Sequence, residues 1–576
     1  MPFCTQFRTN LTPKGARTPD SVHNEPKSFG TRSGRDTDKL SATRGASMPR
    51  RISVIFAAIF LVTCRGSVSG IGVGTSAASD SRDVVTWEAP LAEQLFQDYT
   101  LRVNGHAVPV YACRVSAMPF NQVWPGYQRP VEQTELAGFA YWGMSRPVSV
   151  EIISGRPFNS VAVRPSARGL RPIINGQRIT FQISQPGQFT VELDGSHHAL
   201  HLFADPPETD APKPGDPNVL YFGAGVHRPG KILLKSGQTV YVAGGAVVYT
   251  AIEGRGVSGV RILGRGIIDT SEFARGQGGG SIHLEDSSEI KIDGVIVRDS
   301  DLYGVSAFGC HKLAISRVKL IGFWRYNSDG IDMCNTQEVT VRNSFIRSFD
   351  DSMVLKGVKG RSGGARPLPG QSYDGLPVRN IRMSGLVIWC DWGRALEIGA
   401  ETSAPEMTDV VFRNIDVIRN THIAMDIQHS DRAAIHDIRY EDVRVEVDDS
   451  NPLPVIQNKP GEKYNPRPEV PAAACGGCAT LPGYNGYIPN LFVIVIHPTA
   501  ITRDKEAGTV RDVLFKNISV TGKTMLPSAF TGLDAAHDVR GVTIENLRFN
   551  GHPITNPADA HLQVGKFAEE VRFRRD

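Results

Sequence analysis

VTVRNSFI at 339–346 and VLFKNISV at 513–520 are two copies of one phrase: an apolar residue, another two positions on, Asn, Gly or Asp two further, then an apolar residue again. The phrase recurs as VRILGRGI at 260–267, IKIDGVIV at 290–297, LAISRVKL at 313–320, IRMSGLVI at 381–388, VVFRNIDV at 410–417, IRYEDVRV at 438–445 and VTIENLRF at 542–549. Alternation with a period of two marks a strand, and Gly or Asn in the fifth place marks a turn that tolerates left-handed backbone. Those fifth positions (Gly264, Gly294, Arg317, Asn343, Gly385, Asn414, Asp442, Asn517 and Asn546) are mostly 23–30 residues apart. Repetition at that interval indicates a solenoid. Leucine-rich repeats need Leu at fixed offsets and propeller blades need a longer period, and neither is present. Stacked coils of short strands do fit. The sequence therefore predicts an all-β chain whose main domain, 218–555, is a right-handed parallel β-helix, each coil burying its inward apolar residues against the next.

Two intervals break the rhythm, 42 residues from Asn343 to Gly385 and 75 from Asp442 to Asn517. The excess falls in 357–377 and 447–509, expected as loops on one face of the solenoid, where repeat proteins often bind. Ahead of the helix, 86–205 holds short alternating runs broken by Gly and Pro: SVEIIS, SVAVRP, RITFQIS, FTVELDG and ALHLFAD. They predict a small antiparallel β-sandwich, joined to the helix by the Pro-rich stretch 205–217.

The N-terminal 70 residues read differently. Residues 1–47 are polar, basic and without apolar period, as in a disordered or wrongly assigned extension. Met48-Pro49-Arg50-Arg51, an apolar run from Ile52 to Val62 and small residues up to Gly70 make a secretory signal peptide at 48–70. The run is too short for a membrane span. A secreted or periplasmic protein is expected, and Thr63 before Cys64 fits a lipoprotein anchor poorly. Without residues 1–65 the chain has 52 Lys/Arg against 55 Asp/Glu, so the basic balance of the whole sequence vanishes and no nucleic-acid footprint is left. Six cysteines remain, too few for a disulfide scaffold. Cys475 and Cys478 are expected to form a small local disulfide, and Cys310 and Cys334, 24 residues apart, stack or bridge.

A second set of strands lies between the phrases: DGIDMC from Asp329, DSMVLK from Asp351, RALEIG from Arg394 and IAMDIQ from Ile423. Stacked as successive coils, one column reads Asp329, Asp351, Arg394, Ile423. The next reads Asp332, Val354, Glu397, Asp426, and the next Cys334, Lys356, Gly399, Gln428. Coils stack about 4.8 Å apart, so Asp329 and Asp351 face each other with Asp350 beside them. Like charges so close raise at least one pKa, which places a protonated carboxyl beside an ionised one. A turn ladder without chemistry and a Ca²⁺ site are the competing readings of such a cluster. Trp324, Tyr326, Trp389 and Trp392 flank it as sugar-stacking or coil-edge aromatics. His422, His429 and His436 are read as surface or turn residues.

Asn327-Ser328-Asp329-Gly330 resembles the Asn-Thr-Asp-Gly motif of family 28 glycoside hydrolases, the polygalacturonase group. Phe349-Asp350-Asp351 resembles their Asp-Asp motif at the family's 21-residue step. The sandwich ahead of the helix resembles family 49, the dextranase and isopullulanase group. This resemblance implies a glycoside hydrolase with Asp350 as general acid, Asp329 and Asp351 activating water, and inversion at the anomeric carbon. Two departures matter. Gly393-Arg394-Ala395 replaces Gly-His-Gly, and Asp426-Ile427-Gln428 replaces Arg-Ile-Lys, the cations that meet a uronate carboxylate. A neutral poly- or oligosaccharide is therefore expected, held by Asp332, Lys356, Arg394, Glu397, Asp426 and Gln428, with no metal or cofactor and the chain as a monomer. A polysaccharide lyase, which would need Ca²⁺ and a basic residue, and a non-enzymatic β-helical glycan-binding protein are the alternatives.

Overall fold

The computed structural model describes residues 83–117, 131, 134–360, 367, 372–447, 489–499 and 501–575. The expectations for 1–47, for the signal peptide with Cys64, for Cys475 and Cys478, and for much of the two long insertions lie outside the described residues.

From Val219 onward the chain winds into a parallel β-helix. A typical coil supplies three strands, as Gln337–Arg342, Phe345–Ser348 and Met353–Gly357 do, and each pairs in parallel with its counterpart a coil later. The third strands form one 11-stranded sheet in strict chain order, and the first and second strands run through a 25-stranded sheet that ends at Arg572–Arg574. All nine fifth-position residues of the repeat have positive φ, Arg317 among them at 52°. That corner suits Gly and Asn because a Cβ costs most there. Its side chains also stack: Asn517 donates to Asp442 at 2.8 Å, and Asn546 to Asn517 at 2.8 Å. Asn517 thus sits directly on Asp442, so the 75-residue interval is one coil with an insertion.

Inside the coils Ile, Val, Leu and Met stack in columns, and near the C-terminal end Phe412, Tyr440 and Phe515 continue one column as parallel rings 4.7 and 5.1 Å apart. Each such side chain contributes about 1.5–3 kcal/mol on burial. Cys310 joins this interior, whereas Cys334 packs outside the coils with Tyr303, Phe308, Val358 and Tyr373. Both thiols are free, so the expected stack or bridge between them is not formed. Cys334 ends the strand Ile331–Cys334 and pairs with Phe308, whereas Cys310 lies in the turn two residues past Phe308 and points into the coil.

The sandwich consists of a five-stranded antiparallel sheet and a six-stranded sheet. Four of its pairings in the second sheet are antiparallel, but Thr134–Met144 runs parallel to Leu200–Asp205. Alternate residues of that sheet face opposite ways: Ala140, Trp142, Leu200 and Leu202 fill the sandwich, while Tyr111, Phe139, Tyr141 and Phe203 pack on Val247, Ile267, Ile296, Phe345 and Trp389 of the β-helix. Buried charges lock the same interface. Glu192 takes a bidentate pair from Arg419 at 2.6 and 2.9 Å and a third contact from Arg164 at 2.7 Å. Lys319 holds Asp205. Among the described residues no helix is long and apolar enough to cross a membrane.

Candidate active site

The carboxylates lie on the outward face of the 11-stranded sheet, and the backbone ladder sets them in columns. Gly304 donates to the Asp329 carbonyl at 2.9 Å, Gly330 to Asp351 at 2.7 Å, and Ser352 to Arg394 at 2.7 Å. Strand register pairs Ser306 with Asp332, Asp332 with Val354, Val354 with Glu397 and Glu397 with Asp426. Cys334 pairs with Lys356, and Gly399 with Gln428. The column through Asp332 is thus formed as read from the sequence, whereas the column through Lys356 is broken between Lys356 and Gly399.

Inward neighbours on these strands are apolar (Ile331, Met333, Met353, Leu355, Leu396, Ile398, Met425, Ile427), so alternation turns Asp332, Lys356, Glu397, Asp426 and Gln428 outward, while Asp329, Asp350 and Asp351 lie just before the strands Ile331–Cys334 and Met353–Gly357. Two glycines let the coils close up. A Cβ on Gly330 would lie 2.2 Å from the Ser352 carbonyl oxygen, and one on Gly393 would lie 2.5 Å from both the Asp350 carbonyl carbon and the Asp351 nitrogen. Between Leu355 and Gly357 the register with Arg394–Thr402 slips, which leaves extra residues of the later strand beside Lys356. Glu401 is among them, and its charge acts on Lys356 and Asp332.

Lys356 binds Asp329 at 3.0 Å and Asp332 at 2.8 Å, with the Tyr303 ring 5.5 Å from its nitrogen. Arg394 is caged by Asp351 at 3.5 Å, Asp426 at 3.5 Å and Glu397 at 3.9 Å. Its backbone N–H also donates to Asp351 at 3.1 Å, and Gln428 donates to Asp426 at 3.2 Å. Every carboxylate of the set is buried, and Arg394 and Gln428 are partly exposed. Among the described residues, oxygens of Asp329, Asp332, Glu397 and Asp426 meet no hydrogen-bond donor. Buried acceptors without donors favour protonation or a ligand that supplies hydroxyls.

The adjacent aspartates differ sharply. Burial and the charge of Asp351 push Asp350 up to about 7. Burial also acts on Asp351, but the charges of Arg394 and Lys356 and the Arg394 backbone N–H outweigh it and hold Asp351 below the usual carboxylate range. Asp329 is pushed well up by burial despite Lys356, and Asp332 rises to about 6 for the same reason. Asp426 is raised to about 7 by burial. Of the two residues expected to activate water, Asp351 is the one held toward its ionised form.

Trp389 packs in the sandwich interface with its ring between Arg347 and Arg419, so it offers no face to a sugar. Trp324 and Tyr326 are buried too, and only Trp392, stacked on Phe349, is partly exposed. His429 is a buried strand residue bonded to Thr402 at 2.8 Å, not a surface one, and burial pulls it down to about 4. Tyr303 and Glu401 were missed. Tyr303 stands one coil before Asp329 in the same column, so carrying the column back one coil would have found it. Glu401 carries no such signal, because the register slip displaces it.

No protein-family model and no curated protein matches the chain. Solved structures do. Dex49A from Penicillium minioluteum superposes with a TM-score of 0.52 at 14% identity, over 84% of this chain and 98% of that one. A hyperthermoactive exopolygalacturonase from Thermotoga maritima gives 0.41 at 15% identity, over 62% and 83%. A family 28 exopolygalacturonase from Yersinia enterocolitica gives 0.39 at 13%, over 85% and 96%. The chain resembles Dex49A in its fold.

Proposed function

We propose that this chain hydrolyses glycosidic bonds in a neutral polysaccharide or oligosaccharide, with inversion, outside the cytoplasm. The observation that carries this reading is the buried Asp350–Asp351 pair, one coil along from Asp329, with Arg394 3.5 Å from Asp351. Asp350 protonates the leaving oxygen, and Asp351, across the coil from Asp329, takes the proton of the attacking water. Asp332, Lys356, Arg394, Glu397, Asp426 and Gln428 hold the sugar hydroxyls. Asp426 and Gln428 offer an incoming uronate no cation, and Lys356 and Arg394 are already paired with carboxylates of the site.

Substrate charge tests this directly. Hydrolysis of glucans, galactans or arabinans is expected, with little on polygalacturonate; a faster rate on polygalacturonate would overturn the neutral-sugar reading. The pH profile gives a second test. Asp350 works as an acid only while protonated, so kcat/KM should fall about tenfold per unit above its value near 7. Asp351 works only while ionised, and its lowered pKa places the opposite limb below the usual carboxylate range. A rate that rises steadily from pH 6 to 9 would contradict the assignment.

A further inference from the structure

We infer that the site is a cleft closed at one end, and that the chain cuts its glycan from a terminus, releasing a mono- or disaccharide, rather than within the polymer. Val305, Ala307, Ile331 and Met333 point into the coils, so Ser306, Phe308, Asp332 and Cys334 are outward residues on two successive strands of the 11-stranded sheet. On a bare sheet face such residues would meet water. All four are at most 1% exposed, so other side chains lie over them.

The cover arrives from both ends of the strands. Tyr303 stands two residues before the strand Val305–Phe308, and Tyr373 belongs to the insertion that follows Met353–Gly357. Both pack with Phe308, Cys334 and Val358 in one buried cluster, flanked by Leu302 and Leu376. The Tyr373 ring lies 6.4 Å from that of Phe308, its hydroxyl donates to Asp286 at 3.1 Å, and Asn335 donates to the Leu376 carbonyl at 3.1 Å. In the other direction the face is accessible. Arg394 and Gln428 are partly exposed, and so are Val493, Val495, Ala529 and Thr531, which continue the same outward columns through the next two strands. Tyr303 stands two coils before Asp351, roughly 10 Å at the coil spacing, with its ring 5.5 Å from the Lys356 nitrogen. That span holds one or two sugar rings. A glycan lying across the Asp350–Asp351 pair therefore ends against Tyr303, and the rest of it runs along the C-terminal coils.

Where the glycan is cut rests on the hydrolase reading; the closed end does not, and two measurements keep them apart. Of glucan, galactan and arabinan, whichever polymer is hydrolysed should give one small product of fixed size from the first minutes, with viscosity falling slowly as reducing ends accumulate. A ladder of oligosaccharides with a steep early loss of viscosity would overturn the inference. Cys334 reports on the closed end without any sugar, because it is buried in the cluster with the two tyrosines. In the native parent a maleimide should label Cys334 only slowly, as mapped by mass spectrometry. Tyr373→Ala should speed that labelling at least about tenfold, since the lost ring loosens the cluster over the thiol. An unchanged rate in the folded variant would remove Tyr373 as the cover and overturn the inference. Rapid labelling of Cys334 in the folded parent would mean an open end, whether or not any glycan is cleaved and whether or not the variant folds. A shielded Cys334 with no polymer cleaved would support the closed end and overturn the hydrolase reading instead.

Discussion

Asp350→Asn is expected to lower turnover by at least about 100-fold, the usual cost of a lost acid–base catalyst, while the thermal unfolding transition stays near the parent's. Asn cannot give a proton to the leaving oxygen. It can still accept the Asp351 N–H, which Asp350 Oδ1 accepts at 3.1 Å. The side chain lies outside the apolar interior of the coils, so a near-isosteric amide leaves that packing intact. Stability and activity should therefore separate. A variant within a few-fold of the parent would remove Asp350 as the acid.

Gly393→Ala should be nearly as damaging, although glycine carries no chemistry. Its Cβ would lie 2.5 Å from two backbone atoms of the Asp350–Asp351 pair and 2.7 Å from Asp351 Oδ1. Backbone cannot swing aside as a flexible side chain can, so the pair or the following coil must shift. A misplacement near 1 Å costs on the order of 100-fold in rate when geometry is the catalyst. The loss should fall on kcat more than on KM. Gly375→Ala is the control, because a Cβ there meets nothing within 4 Å. Equal activity in both variants would mean that the close approach at Gly393 does not position the pair.

The coils were legible because their signals are local and repeated. Each turn needs a left-handed residue, each strand alternates, and identical spacing puts like positions in register, which is why the columns through Asp329 and Asp332 could be written from the sequence. Three features were not legible. The slip at Arg394–Thr402 has no spacing signature, so Glu401 escaped. Trp389 sits beside the aspartates in sequence but on the second strand of its coil, which faces the sandwich. The sandwich itself reads as strands with one apolar face, yet Thr134–Met144 is apolar on both, because its sheet is covered by the other sheet on one side and by the β-helix on the other. The side chains that hold the two domains together, Glu192 with Arg419 and Lys319 with Asp205, are far apart in sequence and follow no period.

Proton NMR of the first reducing ends released from a neutral glycan tests the central claim most directly. If Asp351 activates water on the face opposite the bond that Asp350 protonates, the first-formed anomer must be inverted, and mutarotation then follows. Products should also lack the ultraviolet absorbance of an unsaturated sugar. A retained anomer would make one aspartate a nucleophile, and an unsaturated product would make the chain a lyase; either would contradict the roles assigned to Asp350 and Asp351.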